Sequence, residues 1–409
     1  MKSRTAARKP SFVITLGLLT AMAAITVDLS LPAVPEMVEA LATSLPTGQQ
    51  IVGIFMAGMA FGQIPAGLMS DRVGRLPVLY AGVGLFTLAA MAAAVAETIE
   101  LMLAARFVQG FGAAAAIVLS RAIVRDIAHG KEAARLMSLM TMVLTMAPVI
   151  APSIGALLVA EWGWHAPFIT VAVLGVIILT AVRFNLYETH VPNNDEHPVR
   201  QLHSSVVEFF SRRQSIYGLL LIVLPPAGYM SIIAISAALT VEIYGFSITA
   251  YGLIFAAAGV SILTGALINR LLVSHLDSLQ LVALGATLMG ISSAQLLAVA
   301  WLDGAPFGWL WGSVCLFMFT IAITMPNATV LALDPLPKIA GVASSIIGTL
   351  QNVAGATGAL LGAAIYDGSV RNAVLIIGAV GMAMFCVFLA RPLIAPGPVM
   401  HHPDELARD

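Results

Sequence analysis

Gly67-Leu68-Met69-Ser70-Asp71-Arg72-Val73-Gly74-Arg75 is a short charged turn caught between two long apolar runs. Ile51 to Leu68 precedes its charges, Pro77 to Ala96 follows, and neither run carries a charge. A compact basic turn between two segments of membrane-spanning length is the pattern of a tight cytoplasmic hairpin. Gly67 and Gly74 permit close helix approach and a sharp change of backbone direction. Asp71 can pair with the neighbouring arginines, or face the positive dipole end of a helix N-terminus.

The rest of the chain has the same character. Of 409 residues, 59% are hydrophobic and only 10% are charged, against roughly 25% charged in soluble domains. No soluble fold of this size could hide so much apolar surface, so the composition implies a polytopic membrane protein. A net charge of −1 leaves no electrostatic footprint for nucleic acid. Cys315 and Cys386 lie in different apolar runs without metal-ligand spacing and are expected as small apolar side chains. The eight histidines fall outside the span interiors and lack metal spacing. No Walker loop, dinucleotide fingerprint or nucleophile elbow is present, so no cofactor, metal, catalytic centre or nucleotide-driven step is expected. Lys2, Arg4, Arg8 and Lys9, an apolar run and Ala21-Met22-Ala23 have the outline of a secretory signal. The apolar run continues to Leu31 and many further spans follow, which fits a retained first helix better.

A hydrocarbon core of ~30 Å takes ~20 helical residues. Apolar runs between polar punctuation predict spans at 12–35, 49–69, 77–96, 101–123, 136–159 and 167–184. After a polar stretch from Asn185 to Arg213 come six more, at 214–239, 250–270, 279–300, 308–331, 341–365 and 373–391. The expected organisation is therefore an all-α membrane protein. A six-helix bundle over 1–184 is followed by a cytoplasmic loop over 185–213 and a second bundle with a short tail over 214–409. With the N-terminus in the cytoplasm, eighteen of the twenty Lys and Arg residues fall on the inner side. Arg371 alone falls outside and Arg106 lies within a span, so both termini are placed inside. The opening turn recurs in degraded form as Gly265-Ala266-Leu267-Ile268-Asn269-Arg270-Leu271, again after the second span of its half. Two parallel six-helix repeats fit this pattern.

These residues resemble the major facilitator superfamily, whose G-x-x-x-D-R-x-G-R signature lies between spans two and three. Arg106-Phe107-Val108-Gln109-Gly110 is similar to the R-x-x-Q-G element of proton-coupled members. Ala147-Pro148-Val149-Ile150-Ala151-Pro152-Ser153-Ile154-Gly155 resembles the antiporter motif of drug exporters in the double-proline form of the Bcr/CflA (bicyclomycin-resistance-like) group. Three further stretches, Asp28 to Pro35, Ser120 to Asp126 and Asn327 to Leu333, point to the same group. Leu76 stands where the loop motif often has another base, and Ala156 where the fifth-span motif usually has glycine. The resemblance implies a multi-pass inner-membrane transporter working as a monomer. It would exchange small, mostly apolar drug-like compounds for protons by alternating access.

Asp28 and Arg106 are the charges expected inside the membrane, where an ionised side chain is costly and usually marks a pathway or relay. Burial penalises a carboxylate and a nearby arginine favours it, so a rearrangement that alters either would bind or release a proton. Two plainer readings stand beside this one: Asp28 hydrated near the outer end of its span, and Arg106 snorkelling to the headgroups. Gly67, Asp71, Arg72, Gly74 and Arg75 are expected to gate, since in the resembling family this loop locks the inner side; simple topogenic charge is the alternative. Pro148, Pro152 and Gly155 should bend the fifth span and let it pack closely against a partner. Pro225-Pro226 should break the seventh span near Tyr229. By family analogy the substrate cavity would draw on Gln63, Gln109, Met146, Tyr229, Asn327, Gln351 and Asn352, with Phe55 and Phe61 as apolar wall. A dedicated metabolite exporter or proton symporter on the same fold is the alternative function, and a non-transporting sensor or scaffold is another. The orientation is testable in a background free of native cysteines. An impermeant maleimide added to whole cells should label a Glu97→Cys variant and spare Arg72→Cys until the membrane is permeabilised. The opposite pattern would overturn the assignment.

Overall fold

In hydrocarbon, a backbone N–H or C=O without a partner costs several kcal/mol, and a helix satisfies both groups within one segment. The computed structural model describes residues 10–128, 130–190, 198–302, 304–336 and 339–396. Among the described residues there is no strand, and twelve helical segments are long and apolar enough to span a membrane. Lys2, Arg4, Arg8, Lys9, Lys338 and Arg408 lie outside the described residues, as do residues 191–197 of the expected loop and the tail beyond 396. So do His129, His197, His401 and His402.

The first span is α1 (Pro10–Ser30) and α2 (Val34–Ala40), joined by a tight 3₁₀ turn over Leu31–Ala33. Spans two to six are α3 (Leu45–Val73), α4 (Arg75–Ala94), α5 (Ile99–Ile127), α6 (Gly130–Trp162) and α7 (His165–Asn185). A short helix, α8 (Pro198–Ser211), precedes α9 (Arg213–Ala238), α10 (Ile248–Leu272), α11 (Ser278–Trp301), α12 (Phe307–Leu333), α13 (Ala340–Ile365) and α14 (Val370–Leu389). The last element, α15 (Arg391–Ile394), is a single turn. All twelve spans coincide with the predicted apolar runs to within a few residues. Ser44, Thr98, Asp277 and Ser369 cap the helices that follow them. Thr98 Oγ1 accepts the Leu101 N–H at 3.3 Å, and Asp277 and Gln280 form a reciprocal capping box at 2.8 and 3.0 Å.

Two departures from expectation have local causes. The stretch read as a hydrophilic loop carries α8, whose Phe209 is buried and which packs on α13. Leu202, Val206 and Phe209 have the spacing of one helix face, a signal outweighed in the sequence by the surrounding polar residues. The predicted break at Pro225-Pro226 does not occur. α9 runs through both prolines, and the irregular turn comes later, as a π-helical turn over Leu239–Ile243. Proline removes one hydrogen bond but packing holds the axis: the Ala227 carbonyl lies against Gly358 and Gly228 against the Phe317 ring.

The described residues fall into two compact units, Met1–Glu196 with Ser236–Gly259 and His197–Ile235 with Val260–Asp409. The hairpin Ser236–Gly259 therefore packs with the first six spans, although it follows the expected division near residue 214. Its anchor is α6: Ser153 Oγ donates to the Gly252 carbonyl at 3.1 Å, and Gly259 abuts Pro148.

Within the first unit, small residues bring helices into backbone contact. A methyl group at Gly110 of α5 would overlap the Phe55 carbonyl of α3, and one at Gly155 of α6 would overlap the Leu29 carbonyl of α1. Neither neighbour is a side chain that can swing away. Gly110→Ala is therefore expected to destabilise the first unit by about 1–3 kcal/mol, read as a lowered melting temperature in detergent. An unchanged melting temperature would contradict this packing.

Candidate functional site

Asp28 sits in the last turn of α1, immediately before the tight turn that begins at Leu31. It is 6% exposed and is the only buried acidic side chain among the described residues. It makes no hydrogen bond or ion pair within those residues. The reading of Asp28 as a hydrated cap does not fit this burial. The Ser236–Gly259 hairpin, which packs on the same helix as Leu29, carries the buried Tyr251, whose hydroxyl is bonded to Ser236 Oγ at 2.9 Å. Sequence reasoning passed over both residues, because nothing sets a Tyr or Ser within an apolar run apart from its neighbours.

Arg106 is 0% exposed, which excludes snorkelling. Its Nε donates to the Ile51 carbonyl at 3.3 Å, Nη1 to Gln109 Oε1 at 2.8 Å and Nη2 to Ser30 Oγ at 3.5 Å. The guanidinium lies 4.6 Å from the Phe55 ring centre and 5.9 Å from that of Phe168, within cation–π range. Arg106 and Asp28 are not ion-paired here. Arg106 touches the first span at Ser30, two residues beyond the carboxyl. Gln109, three residues along the same helix face, serves as a partner of the arginine.

Pro148 and Pro152 lie within the uninterrupted α6, and Gly155 lets that helix press on the Leu29 backbone, next to Asp28. The expected close packing thus falls beside the buried carboxyl. The same helix meets the Ser236–Gly259 hairpin on another face.

The charged turn forms a second polar cluster. Asp71 lies in the last turn of α3, not at a helix N-terminus, so the expected dipole contact is not made. The Arg75 guanidinium forks between Asp71 Oδ1 and Asp126 Oδ2, with Nε to Asp126 at 3.0 Å, and also donates to Ser70 Oγ at 2.8 Å. Arg72 is exposed and Gly67 half-buried, while Gly74 adopts φ +102°, a conformation natural only to glycine. The N-terminus of α4 is met by Glu188, whose two oxygens accept the N–H groups of Arg75 and Leu76 at 2.9 Å each. Partial burial by itself would raise the Glu188 carboxyl. The N–H groups of Leu76, Arg75, His190 and Thr189 outweigh it and hold it below the usual glutamate range. Asp126 closes a quoted motif; Glu188 carried no sequence signal.

The cavity candidates divide. In the first unit Gln63 is buried and Met146 exposed, whereas Phe55 lies under Arg106 and Phe61 is 69% exposed. In the second unit Tyr229, Gln351 and Asn352 are half-buried, and Asn352 Nδ2 donates to the Gly348 carbonyl. Asn327 Nδ2 donates to Asn269 Oδ1 and the Ile323 carbonyl, both at 2.7 Å, which ties α12 to α10.

Twelve spans, a buried unpaired carboxyl and an ion-paired turn at helix ends make up the architecture of a secondary transporter. Residues 16–359 match the Major Facilitator Superfamily, and the chain belongs to that superfamily. It is a multi-pass inner-membrane protein. It is 30% identical over 391 residues to the multidrug resistance protein MdtL of Escherichia coli, covering 92% of this chain and 95% of that one. It is 28% identical over 347 residues to a bicyclomycin resistance protein homolog of Haemophilus influenzae, covering 84% of this chain and 87% of the other. A D-xylose–proton symporter shares the fold at a TM-score of 0.76 and 18% identity, over 95% of this chain and 98% of that one. A peptide transporter does so at 0.76 and 16% identity, over 97% and 98%.

Removing Asp126 leaves the Arg75 charge, of which the side chain is 10% exposed, without one of its two counter-ions. Asp126→Asn is expected to cost about 1–3 kcal/mol, measured as a drop in melting temperature in detergent. Equal melting of variant and wild type would show that the fork contributes nothing.

Proposed function

We propose that the chain exports small, mostly apolar compounds across the inner membrane in exchange for protons, as a monomer without cofactor or catalytic centre. The observation that carries this reading is Asp28: a buried carboxyl without a hydrogen bond or ion pair among the described residues, packed beside the double-proline helix. Charge at such depth is costly, and a carboxyl group discharges it by taking up a proton. A change in hydration or in the distance to Arg106 would reverse that uptake. The Leu29 backbone rests on Gly155 of α6, so a movement of α6 during alternating access would change the surroundings of Asp28 directly. In the export cycle the substrate enters from the cytoplasm while Asp28 is ionised. Rocking opens the cavity outward, where a proton binds and favours substrate release. Each charge moved through the potential supplies ~2.3 kcal/mol per 100 mV.

The drug-resistance names of the Escherichia coli and Haemophilus influenzae relatives support a drug-like substrate class. The test is a wide drug-susceptibility panel in an efflux-deficient host, with pH-driven export from vesicles. Wild type should protect against at least one compound, while Asp28→Asn and Arg106→Ala should not. Protection against none would favour a metabolite exporter. Full pH-driven export by Asp28→Asn would remove Asp28 from the coupling.

A further inference from the structure

The segment Leu186–His190, which follows α7, is laid across the charged turn between α3 and α4. Four backbone N–H groups converge on one carboxylate there. Glu188 Oε1 accepts from Arg75 at 2.9 Å and from Thr189 and His190 at 3.1 Å each, and Oε2 accepts from Leu76 at 2.9 Å. The first N–H groups of a helix have no acceptor within it, and the dipole there favours an anion. Glu188 thus closes the open end of α4 from more than a hundred residues away.

Its neighbours bind the other parts of the same cluster. Thr189 Oγ1 donates to Asp126 Oδ2 at 2.9 Å, and His190 Nε2 is 3.1 Å from the Asp71 carbonyl oxygen. Asn185 Nδ2 donates to Thr15 Oγ1 at 3.1 Å and the Tyr187 ring packs on Phe12, which moors the strap to α1. Arg75 is consequently held at both ends. Its side chain is held by Asp71 and Asp126, and its backbone by Glu188. Gly74 fits this arrangement in two ways: its φ is +102°, and a Cβ there would come within 2.8 Å of Glu188 Oε2.

We infer that Glu188 is a positioning residue of the turn, setting the backbone from which Arg75 reaches its two carboxylates. Through it, the segment that follows α7 is coupled to the gate. The coupling to gating rests on the proposed transport function; the positioning does not.

The experiment uses the full-length protein in detergent, comparing wild type with Glu188→Ala and Glu188→Gln. Backbone hydrogen exchange is followed over residues 74–79. The amides of Arg75 and Leu76 have no helical acceptor, so their protection reports on Glu188 alone. Exchange at these two amides should rise by about tenfold or more in Glu188→Ala, with the interior of α4 unchanged. Glu188→Gln, which keeps one acceptor oxygen, should fall between and covers the case in which the alanine variant does not fold. Equal exchange at these amides in wild type and both variants would overturn the positioning role. With a compound exported by wild type, the variants should lose kcat at constant KM. A raised KM at unchanged kcat would overturn the link to gating. If wild type exports none of the compounds, the transport reading fails while the exchange result still decides the positioning.

Discussion

The constraint on which the rest of this structure depends is the cost of an unsatisfied polar group in hydrocarbon. It makes every span a helix and sends almost every charge to a helix end. It also requires each exception to be compensated. Arg106 meets that requirement with three hydrogen bonds and two aromatic faces. Asp28, the buried carboxyl two residues before Ser30, has no such set of partners among the described residues.

The two halves solve one geometric problem with different chemistry. In the first, Asp71, Arg75 and Asp126 bind α3, α4 and α5 through charge, and Glu188 closes α4 from outside the repeat. At the repeated turn in the second half, Asn269 takes the place of Asp71 and bonds to Asn327, while α11 is capped locally by Asp277. A neutral amide pair costs little to form or break in an apolar setting compared with an ion pair. The charged version therefore concentrates salt-sensitive and strap-dependent interactions on one side of the repeat.

Gly155, Pro148 and Ser153 place three different contacts on α6. One presses the backbone beside Asp28, and two hold the Ser236–Gly259 hairpin. The sequence motif of α6 thus has a physical counterpart in shared backbone contacts.

By itself the sequence determined the number, type and approximate limits of the spans, because hydropathy over some twenty residues is a local property and hydrocarbon leaves the backbone no alternative to helix. It also singled out Asp28, Arg106 and the charged turn, since charge within or between apolar runs is conspicuous. Only the tertiary structure decided who meets whom. Arg106 binds Gln109 and Ser30 instead of Asp28, Asp126 completes the Arg75 fork, and Asn327 ties two helices together. α9 passes its prolines unbroken because neighbouring helices hold it. Glu188, an ordinary acid in a polar stretch, became the cap of a helix more than a hundred residues upstream. Such contacts depend on distances between segments remote in the chain, and no local pattern of residues encodes them.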